Sequence, residues 1–144
     1  MIENNIKVRK ANMSDLPAIY RFICELEDEV LDYKQFQQIF EENLHNPNWL
    51  YVLAEDETEG IGFISLHTHK LLHHNGLVAE IQEFYTSKKS RGKGVGRLLM
   101  NYVINSAQSQ NVKSIEVTSN KKRAENIKVY ESLGFKLTHN KFTL

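Results

Sequence analysis

The stretch Arg91-Gly92-Lys93-Gly94-Val95-Gly96-Arg97 decides how this chain folds, because it joins a strand-like run at residues 78–86 to a helix-like run at residues 95–110. Glycines at alternate positions let a backbone approach a ligand closely, because no Cβ atom stands in the way. The helix that follows directs its first free N–H groups, and the positive end of its dipole, at the same point. Lys88 and Lys89 add positive charge just before the stretch. The sequence therefore predicts a phosphate or pyrophosphate site here.

Two common phosphate-binding motifs do not fit this loop. A Walker A loop requires Ser or Thr after Gly-Lys, whereas Gly92-Lys93 is followed by Gly94. The dinucleotide fingerprint requires G-x-G-x-x-G near the start of a βαβ unit, whereas the spacing here is G-x-G-x-G and lies late in the chain. The loop does match R-x-x-G-x-G, a pattern that resembles the coenzyme A pyrophosphate loop of the GCN5-related N-acetyltransferases (GNAT).

Composition narrows the class of protein. The 144 residues, of which 41% are hydrophobic, favour a single domain that spans residues 1–144 and has one core. Eighteen basic residues balance eighteen acidic residues, so the chain lacks the net positive charge typical of nucleic-acid binding. Cys24 is the single cysteine, which excludes an internal disulfide and fits a reducing compartment. Because no apolar run reaches membrane-spanning length and no signal-peptide pattern is present, we expect a cytoplasmic protein with no membrane partner.

Periodicity predicts the order of the helices and strands. Period-two alternation and turn signals predict strands at residues 6–10, 49–55, 61–71, 77–86 and 114–118, and a final pair of strands within residues 135–144. Helical spacing predicts a helix capped by Ser14, and further helices at residues 33–44, 95–110 and 124–133. The order is therefore β-α-α-β-β-β-α-β-α-β-β, which favours an α/β fold with a sheet between layers of helices.

The same order is that of the GNAT fold, and the resemblance covers nearly the whole chain. The sequence Asn-Ile-Lys-Val-Tyr-Glu-Ser-Leu-Gly-Phe at residues 126–135 looks like the closing helix of that family, with Tyr130 four residues before Gly134. Within the family, the segments most similar to the aminoalkylphosphonate N-acetyltransferases are residues 23–26, 67–74, 80–83, 122–123 and 142–143. The resemblance implies a mixed, mostly antiparallel sheet of six to seven strands flanked by helices, and acetyl-CoA as cosubstrate.

The resemblance also implies which residues hold acetyl-CoA. The loop amides would bind the pyrophosphate, and the end of the preceding strand would pair its backbone with the pantetheine amides. The residues so implied are Phe84, Tyr85, Thr86, Arg91, Gly92, Lys93, Gly94, Val95, Gly96, Arg97, Asn120 and Arg123. A bulge in the strand at residues 77–86, which the resemblance implies, would free a backbone N–H for the oxyanion that develops at the thioester.

Three side chains are candidates for proton transfer. Acetylation of an amine requires an acceptor for the ammonium proton, and Glu80, eleven residues before Arg91, lies where the family often places its catalytic glutamate. Glu83 is the alternative base, although strand alternation places it on the opposite face unless a bulge changes the phase. Tyr130 is the candidate acid for the departing thiolate, because the two groups have similar basicity. Purely structural roles, an ion pair for Glu80 and packing for Tyr130, are the alternatives.

Histidines dominate residues 67–74, which contain His67, His69, His73 and His74. Neutral imidazoles can bind a divalent metal, and the resemblance associates such an ion with the phosphonate acceptor, so all four are candidate metal ligands. Direct contact with the acceptor and a solvated hairpin are the alternatives, because no tight metal-binding spacing is present. The residues predicted to bind the substrate are Glu25, His67, His73, His74 and Glu83.

These features predict an acetyl-CoA-dependent N-acetyltransferase whose partner is a small-molecule primary amine that attacks the thioester directly. The resemblance implies an aminoalkylphosphonate. A polyamine, an amino acid, an antibiotic amine or a peptide N-terminus is the alternative acceptor, and an electronegative pocket would favour a polyamine. The acidic residues that would build such a pocket are Glu25, Glu29, Asp32, Glu41 and Glu42. A non-catalytic coenzyme-A-binding module is the alternative from another class, and the resemblance leaves a homodimer open, because members of the family often form dimers.

Overall fold

A computed structural model describes residues 5–144, and its helices and strands follow the predicted order through the last helix. The strands are β1 (Lys7–Lys10), β2 (Trp49–Glu55), β3 (Gly60–Leu71), β4 (Gly76–Thr86) and β5 (Ser114–Val117). The helices are α1 (Leu16–Glu27), α2 (Tyr33–Leu44), α3 (Val95–Ser109) and α4 (Glu125–Ser132). Short 3-10 turns occupy Met13–Asp15, Leu72–His74 and Lys88–Ser90.

The strands form one mixed sheet whose spatial order, over the described residues, is β1-β2-β3-β4-β5. Neighbouring strands from β1 to β4 pair antiparallel, and β4 pairs parallel with β5. A short turn can join antiparallel strands, whereas a parallel pair needs a crossover connection. The helix α3 is that crossover, so the glycine turn that begins it lies at the C-terminal end of β4.

Helices cover both faces of the sheet. On one face, Leu99 and Val103 of α3 pack against Val52 and Ile64 of the sheet. On the other face, α1 and α2 contribute to a second apolar cluster, which contains Leu16, Ile19, Phe22, Ile23, Phe40, Leu53, Phe63 and Tyr85. No helix within residues 5–144 combines the length and the apolar composition needed to cross a membrane.

The predicted final pair of strands is wrong, because no strand follows α4 within the described residues. A five-stranded sheet over residues 5–144 therefore replaces the predicted six to seven strands. An alternating pattern specifies a strand when one of its faces is buried, and here the side chains of Leu137 and Phe142 are 72% and 91% exposed. Because residues 135–144 bury little apolar surface, they gain nothing by pairing with the outer edge of β5.

The start of α1 also differs from the sequence-based expectation. Asn12 rather than Ser14 is the capping residue, and it caps the 3-10 turn Met13–Asp15 that leads into α1: Asn12 Oδ1 accepts the Ser14 N–H at 2.9 Å, and the Asn12 N–H donates to Asp15 Oδ2 at 2.8 Å. The N-cap of α1 itself, Asp15, makes no side-chain capping hydrogen bond. The two terminal guanidinium nitrogens of Arg9, Nη1 and Nη2, also donate to Asp15, at 2.8 and 2.9 Å. Arg9 Nε donates to Glu55 Oε1 at 2.9 Å, so a single arginine fixes the beginning of α1 against β1 and β2.

The strand β4 contains the predicted bulge. Ile64 on β3 pairs with Phe84, whereas Leu66 pairs with Ile81, so Ser65 alone faces two residues of β4. Side chains of a regular strand alternate between the two faces, and an extra residue shifts that alternation. The bulge therefore decides which face of the sheet each side chain at the end of β4 occupies.

The strands β4 and β5 separate before β4 ends. Their parallel pairing ends at Ile81 opposite Val117, whereas β4 continues through Thr86. Within the described residues, the last part of β4 therefore keeps one backbone edge that is not paired with another strand.

Replacing Leu99 by alanine should destabilise the fold far more than replacing its neighbour Leu98. The Leu99 side chain is fully buried, whereas Leu98 is 41% exposed. Loss of buried methyl groups and the cavity left behind should lower the free energy of unfolding by about 2–5 kcal/mol in Leu99→Ala. Leu98→Ala should lower it by about 1 kcal/mol or less. Urea unfolding followed by circular dichroism measures both, and equal losses would contradict the orientation of α3 on the sheet.

Candidate functional site

A cleft of about 680 Å³ lies at the separation of β4 and β5. Its walls come from the end of β4, the glycine turn, the start of α3, the end of α1 and the start of α4. The predicted cofactor residues that line it are Phe84, Tyr85, Thr86, Arg91, Gly92, Gly94, Val95, Gly96 and Arg123. The side chains of Lys93, Arg97 and Asn120 are exposed and do not line the cleft.

The glycine turn places the first N–H groups of α3 at the cleft. Gly92 and Gly94 have φ angles of 81° and 84°, in the left-handed region that an L-residue enters only with strain. Gly94 is the N-cap of α3, and its C=O accepts the Leu98 N–H at 3.1 Å. The N–H groups of Val95 and Gly96 belong to the first turn, where no intrahelical acceptor exists, so they are available to an anion.

The free edge of β4 presents backbone groups to the same cleft. The Ser87 N–H donates to Ile61 O at 2.9 Å, so Ser87 directs its N–H to β3. In an antiparallel ladder this orientation recurs at every second residue, which directs the backbone of Tyr85 to β3 and that of Phe84 and Thr86 away from it. The backbone groups of Phe84 and Thr86 therefore face the separation between β4 and β5.

The basic side chains before α3 have different roles. Arg91 folds back onto β4, where its Nε donates to Thr86 O at 3.1 Å and its guanidinium carbon lies 6.0 Å from the centre of the Tyr85 ring. Lys89 Nζ pairs with Glu59 Oε2 at 2.8 Å. The positive charge that the sequence predicted around the loop is therefore partly neutralised, at Lys89.

Glu25 on α1 lies with the cofactor residues rather than with the histidines. Its carboxylate accepts a hydrogen bond from the hydroxyl of Tyr85, whose ring stacks on Phe22 at a centroid distance of 4.9 Å. Burial, together with the neighbouring Glu25, raises the pKa of Tyr85 to about 12, against a smaller opposite effect of Arg91. The phenol thus stays protonated and joins the end of β4 to α1, a role that the sequence did not predict for Glu25.

Arg123 reaches α1 from the opposite wall of the cleft. Its Nη2 donates to the backbone oxygen of Leu26, in the last turn of α1, at 2.5 Å. The Arg123 N–H donates to Asn120 O at 2.9 Å, and Asn120 Oδ1 accepts the Lys122 N–H at 2.9 Å. Asn120, which the sequence suggested as a cofactor ligand, therefore shapes the turn that carries Arg123.

Tyr130 on α4 borders the cleft, and its ring lies between two other aromatic rings. Its ring centre lies 6.3 Å from that of Phe84 and 6.0 Å from that of Phe135. Burial raises the pKa of Tyr130, and the positive charge of Arg123 offsets part of this rise. The phenol therefore stays protonated at neutral pH, as a proton donor must.

Glu80 and Glu83 lie on the same face of the sheet, which corrects the expectation from simple alternation. Glu80 pairs in register with His67, whereas Glu83 accepts a hydrogen bond from Ser65, a residue on the His67 face. The bulge between the two glutamates shifts the phase and produces this arrangement. Thr118 Oγ1 donates to Glu80 Oε2 at 3.4 Å.

The environment of Glu83 favours its neutral form. Ser65 Oγ donates to the Glu83 carboxylate and accepts the Glu83 N–H at 2.9 Å. Burial raises the pKa of Glu83, and this effect exceeds the opposite effect of the Ser65 hydrogen bond, while the charge of Glu27 raises the pKa slightly further. Glu83 is therefore a buried carboxyl group whose affinity for a proton is higher than that of an exposed glutamate.

His67 and His69 form one aromatic stack with Trp49. The ring centres of Trp49 and His67 lie 4.3 Å apart, and those of His67 and His69 lie 5.0 Å apart. Burial lowers the pKa of His67, and His69 lowers it further, against an opposite effect of Glu80. His67 is therefore a neutral imidazole at neutral pH.

His73 and His74 form a separate pair in the turn between β3 and β4. Their ring centres lie 4.5 Å apart, and His74 Nε2 lies 3.3 Å from Glu116 Oε2 on β5. Over residues 5–144, no group of three or more histidine, cysteine, aspartate or glutamate side chains is arranged to hold a metal ion. The four candidate metal ligands therefore lie in two separate pairs in this structure, His67 with His69 on β3 and His73 with His74 in the turn.

Four residues that contact the predicted site residues were not themselves predicted from the sequence: Trp49, Ser65, Glu116 and Thr118. Ser65 could have been found, because it stands two residues before His67 on the same strand and shares its face. The other three belong to β2 and to the end of β5, so only the pairing register of the sheet brings them to the site. No local pattern in the sequence encodes that register.

Comparison with known proteins agrees with this geometry. The sequence matches the model of the acetyltransferase (GNAT) family over residues 12–135. It is 35% identical, over 137 residues, to the aminoalkylphosphonate N-acetyltransferase of Salmonella typhimurium, and the alignment covers 95% of this chain and 89% of that protein.

Solved structures share the fold over almost their full length. A transcriptional regulator from Bacillus halodurans superposes with a TM-score of 0.89 at 23% identity, covering 96% of this chain and 98% of that one. A predicted acetyltransferase from Clostridium acetobutylicum, solved with acetyl-CoA, superposes with a TM-score of 0.79 at 23% identity, covering 96% and 95%. At such identities the similarity establishes the fold.

Glu83→Gln should remove a pH dependence of stability. Because burial raises the pKa of Glu83 above its ordinary value of 4.5, folding favours the protonated carboxyl group. The protonated Glu83 therefore adds to the free energy of unfolding. This added stability is fully present when the pH is below the ordinary pKa, and it is lost as the pH rises through the raised pKa of the folded state. The neutral glutamine avoids this loss, so its stability relative to wild type should be greater at about pH 8 than at about pH 5.

Urea titrations across this pH range measure the difference. Glu131→Gln, which removes a carboxylate from an exposed position on α4, is the matched control and should follow wild type. If the Glu83→Gln and wild-type curves stayed parallel, Glu83 would not have the buried environment described here.

Proposed function

Because this chain belongs to the GNAT acetyltransferase family, we propose that it transfers the acetyl group of acetyl-CoA to the primary amine of an aminoalkylphosphonate. The family and the Salmonella relative make it an acetyl-CoA-dependent N-acetyltransferase, and the acceptor is the proposed part. One observation carries the assignment of the cleft: the free backbone edge of β4 leads directly into the glycine turn at the start of α3. The name of the Salmonella relative supports the phosphonate acceptor.

The cleft offers the groups that acetyl-CoA requires. When bound, this cosubstrate supplies an activated carbonyl carbon and a thiolate leaving group. The N–H groups of Val95 and Gly96 would bind its pyrophosphate at the positive end of the α3 dipole. The backbone groups of Phe84 and the N–H of Thr86 would pair with the amides of its pantetheine arm, as an added strand would, because Thr86 O already accepts a hydrogen bond from Arg91 Nε.

The N–H of Phe84 is the proposed donor to the thioester oxygen. The Glu83 N–H, which is the other amide beside the bulge, already donates to Ser65 Oγ at 2.9 Å. Phe84 lies next in the chain and directs its backbone away from β3, so its N–H remains available at the cleft. A single preorganised donor of this kind typically stabilises a transition state by ~2.7–4 kcal/mol.

Glu80 is the proposed general base, acting through a water molecule. An alkylamine with a pKa of about 10 is mostly protonated at neutral pH, so the enzyme must remove a proton before the nitrogen can attack. Glu80 lies partly exposed on the face that carries His67. Glu83 is the second candidate, because burial raises its pKa toward the range in which a base works efficiently at neutral pH.

Tyr130 is the proposed acid for the departing thiolate. It lines the same cleft as the free edge of β4, and its hydroxyl is protonated at neutral pH because burial raises a pKa that is ordinarily already 10.0. A non-catalytic coenzyme-A-binding module would need neither a protonated phenol in the cleft nor carboxylates beside the bulge. The presence of these groups therefore supports turnover.

The histidines are the proposed partners of the phosphonate group. Imidazole N–H groups can donate to phosphonate oxygens, and His67, His73 and His74 lie on β3 or in the turn that follows it. Two of the five acidic residues that would favour a polyamine already accept hydrogen bonds: Glu25 from the Tyr85 hydroxyl, and Asp32 from the Gln35 N–H at 2.9 Å at the start of α2. This distribution favours an anionic rather than a polycationic acceptor.

Aminoethylphosphonate should be acetylated with a kcat/KM at least roughly tenfold above that of ethylamine, because the phosphonate contacts add binding energy that ethylamine lacks. Release of free coenzyme A, measured with a thiol reagent, follows the reaction, and spermidine serves as the polycationic comparison. Faster acetylation of spermidine would contradict the phosphonate acceptor. Acetylation of none of these amines would contradict the acceptor class as a whole.

Glu80→Gln should lower kcat by about 10²–10⁴-fold, because it removes the acceptor of the ammonium proton. The loss should be greatest at low pH, where deprotonation is hardest, and Glu83→Gln should cost less. Glu131→Gln on α4 is the control for loss of a carboxylate. Unchanged turnover in Glu80→Gln would remove Glu80 from its role, and a larger loss in Glu83→Gln would assign the base to Glu83.

A further inference from the structure

Two side-chain hydrogen bonds close the separation between β4 and β5 into a ring. The ring begins at the last paired residues, Ile81 and Val117, and follows β4 to Tyr85. The Tyr85 hydroxyl then bonds to α1 at Glu25, and the next residue along α1, Leu26, bonds to Arg123. The chain returns from Arg123 to β5, and the four residues that make the two hydrogen bonds, Glu25, Leu26, Tyr85 and Arg123, all line the cleft.

The bond between Arg123 and Leu26 is the part of this ring that can open most easily. The Arg123 side chain is partly exposed and emerges from a turn, whereas Tyr85 is buried and stacked on Phe22. A carbonyl in the last turn of a helix has no intrahelical donor, and a cation there also meets the negative end of the helix dipole. The last turn of α1 has no basic residue of its own, so Arg123 supplies that charge from 97 residues away.

We propose that Arg123 is a positioning residue that closes the ring over the pantetheine arm, so that acetyl-CoA enters and leaves when the bond to Leu26 opens. This inference rests on the proposed function, because that function places the pantetheine arm along Phe84 and Thr86, inside the ring. A ring closed over the arm holds the thioester against the free edge of β4. It also explains why an arginine from beyond β5 reaches across the cleft to a helix on the opposite face of the sheet.

Arg123 lies beside the end of the cleft where the thiolate would depart. Its charge acts on Tyr130, the proposed acid, and both side chains line the cleft. The group that closes the ring is therefore adjacent to the group that would protonate the leaving sulfur. Closure and proton donation would thus occur at the same place, and opening would release coenzyme A after the transfer.

Stopped-flow binding of etheno-coenzyme A, a fluorescent analogue, tests this inference on the full-length protein. Arg123→Ala should raise both the association and the dissociation rate constants, each by roughly tenfold, because one charge-assisted hydrogen bond no longer has to break. Arg123→Lys, which keeps the charge and a donor, should give intermediate rates. Lys122→Ala removes the neighbouring exposed positive charge as the matched control and should not accelerate dissociation.

Tyr85→Phe removes the other hydrogen bond that closes the ring, the one between Tyr85 and Glu25. It keeps the aromatic side chain that stacks on Phe22. It should change both rate constants in the same direction as Arg123→Ala. Because either break opens the same ring, the double variant should be no faster than the faster single variant, whereas two independent effects would multiply. Circular dichroism of each variant establishes that the comparison is made between folded proteins.

Association and dissociation rate constants that change in opposite directions would overturn the proposal. If Arg123 merely attracted the anionic cofactor, Arg123→Ala would slow association while it accelerated dissociation. Unchanged rate constants, or multiplied effects in the double variant, would also reject the ring. Absence of any binding of etheno-coenzyme A to the wild-type protein would overturn the proposed function together with this inference, and it is therefore distinguishable from failure of the ring alone.

Discussion

The separation of β4 from β5 beyond Ile81 and Val117 is the constraint on which the rest of the site depends. A backbone N–H or C=O that leaves a sheet still requires a hydrogen-bond partner, and burying it without one is costly. The last residues of β4 present such groups to a cleft rather than to a strand. The proposed ligand, with amides along an extended arm, would meet this requirement, so the feature that interrupts the sheet would also create the binding site.

The elements around this gap act mainly through their backbones. The glycine turn supplies amides at the start of α3, the bulge directs both glutamates to one face, and α1 is tied to β4 and to the turn before α4. Side chains with titratable groups then occupy positions that the backbone has already fixed. The proposed site therefore combines a glycine turn, whose backbone amides would bind an anion, with a closure made by a few side-chain contacts.

Local patterns predicted most of the fold. Alternation and turn residues placed β2, β3 and β4 close to their observed bounds, and the glycine loop lies in the wall of the cleft. The strands expected at residues 135–144 failed because alternation does not reveal whether a face is buried, and Leu137 is exposed. The shared face of Glu80 and Glu83 required the position of the bulge. The contact of Arg123 with Leu26 joins residues 97 apart, and no local signal encodes a pairing at that separation.

The bulge in β4 also limits how this chain can change in length. His67 and Phe63 lie on the same face of β3. Before the bulge, the even-numbered Glu80 shares this face, and after the bulge, the odd-numbered Tyr85 shares it. Deleting one residue of β4 outside the bulge would turn one part of the strand to the opposite face, whereas deleting Gln82 or Glu83, which together face Ser65, would remove the bulge and leave Phe84 and Tyr85 on their present faces. We therefore infer that insertions and deletions in this strand outside the bulge are tolerated less well than substitutions, since a substitution preserves the phase.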